Sequence, residues 1–154
     1  MRPILLLAVA ALSAQAQNAK QQITASIDAK FDAYRNVANQ IWGFAEVGYQ
    51  EKQSSALLQS ELTRAGFTVR TGVADMPTAF VAEYGSGKPV IGILAEFDAL
   101  PGLSQNVATE RSPIAGGNAG HACGHHLFGT ASLAAGIAAK EWLQRTGRSG
   151  TIRV

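Results

Sequence analysis

One cysteine serves all 154 residues, so no disulfide forms within the chain. Cys123 is then a free thiol, a bridge to another chain, or a metal ligand. Charge is also sparse. Charged residues make up 16% of the chain, the net charge is +2, and no basic cluster stands out. That excludes nucleic acid and a membrane surface as evident partners. Internal repeats and low-complexity segments are absent. No apolar run is long enough to span a bilayer. What is present is globular: 47% apolar residues and enough length for one domain with a real core.

The first sixteen residues read separately. Arg2 precedes a short apolar run from Ile4 to Leu12, and Ala14-Gln15-Ala16 has the small-x-small form of a cleavage site. The pattern predicts a secretory signal peptide over 1–16, with a periplasmic or secreted product. The alternative is a buried N-terminal helix.

From Lys20 to about Ala45, Ile23, Ile27, Phe31, Tyr34, Ala38 and Ile41 recur at helical spacing. The spacing predicts one amphipathic helix, continued by Trp42, Phe44 and Val47 into a break at Gly48. Glu46 and Glu51 flank the break and read as solvated helix-end carboxylates. Ser54 to Ala65 predicts a second helix, stopped by Gly66 in a left-handed cap. Strands follow at Phe67 to Thr71 and Thr78 to Tyr84. Gly85 to Pro89 lacks the spacing of a phosphate loop and reads as a hairpin connection. The unbroken run Val90 to Leu94 predicts a strand buried on both faces.

Glu96 and Asp98 follow directly. Ligands of open α/β sheets sit beyond the carboxyl ends of strands, so two carboxylates there are suggestive. Leu100 to Gly117 is a long aperiodic loop, of the kind usually kept for function. Leu127 to Leu143 is rich in alanine and predicts a helix that packs closely on a sheet. Thr151 to Val154 begins a further strand, and the chain stops there, as an N-terminal fragment would.

Between loop and helix lies Gly120-His121-Ala122-Cys123-Gly124-His125-His126, which holds the only cysteine and all three histidines. Thiolate and imidazole together suit a soft or borderline metal. Cys123 and His125 are two apart and share an ion only where the backbone is not helical; Gly124 permits that. The start of a helix also favours a thiolate. Spacing alone leaves two other readings open. One is a Cys/His nucleophile pair. The other is a structural cysteine beside surface histidines.

Several stretches occur together in order. They are Trp42-Gly43-Phe44-Ala45-Glu46-Val47-Gly48-Tyr49, Ala65-Gly66-Phe67-Thr68-Val69, Ile91 to Ser104 with its E-F-D-A-L-P-G-L, and G-H-A-C-G-H from Gly120. In this combination the chain resembles the amidohydrolase branch of the aminoacylase/carboxypeptidase metallopeptidase (M20-type) family, and within it the p-aminobenzoyl-glutamate hydrolases. The resemblance implies an α/β fold, with a mixed central sheet between helices. Residues 17–154 would be the N-terminal part of a two-metal catalytic domain, without the lid domain that mediates dimerisation. It implies two divalent metal ions, zinc or manganese, with Cys123 and His125 as ligands. Asp98 matches the catalytic aspartate that orients a metal-bound imidazole. Glu96 stands where wider relatives have a metal-binding histidine, and His126 where many have Asp or Asn. The implied substrate is a small N-acyl amino acid or a p-aminobenzoyl-glutamate-like amide. The family's general base lies in a G-x-P-A-E-E segment, which these 154 residues do not contain, so a fragment inactive alone is implied. A non-catalytic metal-binding or partner-binding domain is the competing expectation.

Overall fold

The computed structural model describes residues 18–154. The expected signal peptide lies outside the described residues. Among the described residues, four α-helices and a mixed four-stranded sheet make up an α/β fold. No helix among the described residues is long and apolar enough to cross a membrane.

The predicted first helix is two. Residues 18–28 form α1 and Phe31–Phe44 form α2, with a turn at 29–30. The Lys30 amide bonds the Ile27 carbonyl, tightening the chain out of α geometry. The Lys30 ammonium reaches Glu141 at 2.8 Å, a tertiary tie that helical periodicity does not report. α2 stops before Gly48: Ala45 adopts a left-handed conformation, and its amide closes on the Ile41 carbonyl.

Lys52–Arg64 forms α3. Gly66 takes the expected positive φ, and two bonds, Phe67 amide to Leu62 carbonyl and Gly66 amide to Thr63 carbonyl, close the helix end. Leu62 and Phe67 are both buried in the core, so the stop is also a packing contact.

The strands are β1 (Thr68–Thr71), β2 (Phe80–Ser86) and β3 (Val90–Gly92), with the short pair β4 (Leu100–Pro101) and β5 (Ala119–Gly120) and the last strand β6 (Gly150–Arg153). Sheet order is β1-β2-β6-β3, antiparallel except for β3 beside β6. The expected hairpin across Gly85 to Pro89 is therefore absent, because β6 lies between β2 and β3. The turn grips β6 instead: the Thr151 amide donates to the Pro89 carbonyl and its hydroxyl to the Gly87 carbonyl. The expected two-sided burial of Val90 to Leu94 also fails. β3 pairs only with β6 among the described residues, and Val90, Ile91 and Leu94 are exposed.

Phe80, Ala82, Tyr84 and Ile152 pack with Val37, Ile41, Leu58, Leu62, Leu133 and Ile137 in one core. Leu133 and Ile137 belong to α4 (His125–Thr146), which crosses the sheet closely. The expected role of small residues holds here. A Cβ on Gly129 would stand 3.0 Å from the Glu96 carbonyl oxygen and 3.2 Å from the Phe97 Cβ. A side chain there would push the helix and the strand end that carries the carboxylates apart by a few tenths of an ångström.

Candidate metal centre

Beyond β3 the chain is fixed at both ends of the segment Glu96-Phe97-Asp98. The Ser132 hydroxyl on α4 donates to the Leu94 carbonyl at 2.6 Å. The Ala99 amide donates to the Glu46 carbonyl at 2.7 Å, and Val47 bridges Ala99. Phe97 packs toward the core against Phe80, while Glu96 and Asp98 share the other side.

His125 comes to them from the first turn of α4. Gly124 precedes it with φ 78, and the Gly124 amide bonds the His121 carbonyl. The backbone between Cys123 and His125 is thus not helical, as sharing one ion would require. His125 Nδ1 lies 2.8 Å from Asp98 Oδ1, and its Nε2 lies 3.1 Å from Glu96 Oε2. Ligand atoms of Glu96, Asp98 and His125 all fall within 4.8 Å of one another. Cys123 is exposed two residues before His125 and is not part of that group.

This arrangement fits a cation. A neutral imidazole has one ring proton and donates to one carboxylate. With the proton on Nδ1, Asp98 receives it, and the Nε2 lone pair faces a Glu96 oxygen. Those two lone pairs repel unless a proton or a cation lies between them. Ligands about 2.1 Å from one zinc ion at tetrahedral angles stand about 3.4 Å apart, close to the separation seen. Nitrogen and oxygen donors of this kind suit zinc or manganese.

The other two histidines go elsewhere. His121 is buried, with Nε2 3.0 Å from the Ile41 carbonyl. His126 meets the Trp42 ring edge-on at 4.9 Å. Burial lowers the pKa of both, which favours neutral rings.

Glu46 and Glu51 are not the solvated charges that their position suggests. The Glu46 carboxylate accepts from the Gln53 and Ser54 amides and from the Ser54 hydroxyl, capping α3. Burial raises its pKa, but these donors prevail and the net shift is downward. Glu51 is buried, receiving the Tyr49 amide and the Thr78 hydroxyl. No local motif announces either role, because the donors lie up to 27 residues away. The long loop is clipped at its base, where β4 pairs with β5.

No family model matches the chain. It is 46% identical over 129 residues to a subunit of the p-aminobenzoyl-glutamate hydrolase of Escherichia coli strain K12, a match that takes in 83% of this chain. The chain belongs to the M20 family of metal-dependent hydrolases. It spans 27% of the length of that M20 relative. Solved structures agree on the fold. One described as an aminohydrolase from methicillin-resistant Staphylococcus aureus superposes with TM-score 0.71 at 22% identity, covering 87% of this chain and 33% of that one. Another is the Bacillus subtilis YXEP protein, a dinuclear metal binding peptidase of the M20 family. It gives TM-score 0.60 at 25% identity over 82% of this chain and 34% of that one.

Proposed function

We propose that this chain carries part of the two-metal centre of an amidohydrolase. Its substrate is a small N-acyl amino acid or an aroyl amino acid such as p-aminobenzoyl-glutamate. The observation that carries the reading is His125 held by Asp98 at one ring nitrogen and turned toward Glu96 with the other. Support for the chemistry comes from the hydrolase of p-aminobenzoyl-glutamate and the dinuclear peptidase that the chain is similar to.

His125 and Cys123 would hold metal, zinc or manganese, and Glu96 faces the same point. Asp98 keeps the His125 proton on Nδ1, so that Nε2 is free to ligate and is more basic. Metals bound there supply polarisation of the scissile carbonyl and a water of lowered pKa. The ties of the 96–98 segment to α4 and to Glu46 hold the backbone that carries both carboxylates. The longer protein is dimeric in this reading, acts on a small molecule rather than nucleic acid or membrane, and is exported to the periplasm or beyond. The +2 net charge and the signal-like residues 1–16 support those last points.

Two measurements test the proposal. Calorimetric titration with zinc and with manganese should show binding that Cys123→Ser and His125→Ala each weaken. In the longer protein, metal-dependent release of p-aminobenzoate or of an amino acid from N-acyl substrates should vanish with His125→Ala. Metal binding without any amide hydrolysis would leave a non-catalytic metal-binding domain in its place.

A further inference from the structure

The two halves of the centre are far apart in sequence, and both are referenced to one place, the end of α2. Glu46, two residues past that helix, holds the Ala99 amide through its carbonyl and so fixes Asp98. Ile41, in the last turn, holds the other half through His121. A carbonyl only accepts, so His121 Nε2 is the donor in that 3.0 Å bond. His121 is only 4% exposed and the partner Ile41 is fully buried, so water does not compete for the bond. His121 also shapes the turn through its backbone: its carbonyl receives the Gly124 amide, and α4 starts one residue later. One residue thereby anchors the turn to α2 and launches the helix that presents His125.

We propose that His121 is a positioning residue: its ring, bonded to Ile41, sets Cys123 and His125 in register with Asp98 and Glu96. The proposal rests on the metal-centre reading above. It is a role in placement, not in ligation: Nε2 is spent on the Ile41 carbonyl, and Nδ1 is buried.

Glutamine can place an amide N–H near the position of Nε2, and leucine cannot. The test compares wild type, His121→Gln and His121→Leu by zinc calorimetry and by nitrogen NMR of the metal-free His125 ring. His121→Leu should weaken zinc binding about 10- to 100-fold, as loss of an outer-shell partner does. It should also shift the His125 ring signals away from the Nδ1-protonated form. His121→Gln should restore both to within a few-fold of wild type, including if His121→Leu does not fold. Equal losses in a folded His121→Gln, or an unchanged His125 spectrum with unchanged zinc affinity in His121→Leu, would overturn the proposal. If wild type binds no zinc, the metal-centre reading fails, and the His125 spectra alone decide whether His121 positions that ring.

Discussion

His125 and His121 are four residues apart and occupy opposite kinds of site. The His125 side chain is 22% exposed and meets a carboxylate at each ring nitrogen. His121 is 4% exposed and bonds the Ile41 carbonyl, and it lies near Asp98 with its Nδ1 buried and without a hydrogen bond among the described residues. His126 shares the second environment, 5.1 Å from His121 and against Trp42. A motif of three histidines is therefore not a set of three ligands. One ring is held between two carboxylates, and two are packed against α2 and each other. Residue type alone cannot sort them; what each nitrogen meets can.

The sharpest way to break this division is His125→Ala. Zinc binding measured by calorimetry should be lost, while the thermal midpoint stays close to wild type because the ring leaves a partly exposed site. Substantial zinc binding by the variant would place the ion elsewhere. Asp98→Asn is the next largest effect. It keeps an oxygen for the Nδ1–H but removes the charge, so affinity should fall about 10- to 100-fold. An affinity equal to wild type would mean that Asp98 does not orient a ligating ring. Trp42→Leu addresses the other side. It removes the edge-on contact with His126 and should cost about 0.5–1.5 kcal/mol in denaturant unfolding beyond the apolar area lost. A larger fall in zinc affinity than in stability would show that the support and the ligand are one unit.

Much of this was legible because it is local. The helix over α3, its stop at Gly66 and the small-residue face of α4 follow from spacing within a few residues. Placing Glu96 and Asp98 at a strand end was enough to bring them near the Cys/His turn. What spacing could not show is non-local. β6 enters between β2 and β3 from the far end of the chain, which turns an apparent hairpin into a crossover and puts Val90 and Ile91 on an exposed edge. The break at Lys30 follows from Glu141 on α4. Glu46 and Glu51 look like surface charges because their donors are amides and hydroxyls, groups that every sequence contains.

Glu46 offers the smallest and most specific test. Its carboxylate caps α3, while its carbonyl holds Ala99 beside the metal centre. Glu46→Gln alters the first and leaves the second. Loss of the charged cap should cost about 1 kcal/mol at neutral pH. Because the folded pKa lies below the usual 4.5, the carboxylate's contribution is full above that value and is lost as pH falls through the folded pKa. The gap in thermal midpoint between wild type and Glu46→Gln should therefore narrow on acidification below about 4.5. Zinc affinity at neutral pH should stay within a few-fold, since the carbonyl bond to Ala99 persists. Midpoints that run parallel from neutral pH down to about pH 3 would show that the carboxylate does not cap α3. A large loss of zinc affinity would show that cap and centre are coupled through the end of α2 more tightly than two separate bonds allow.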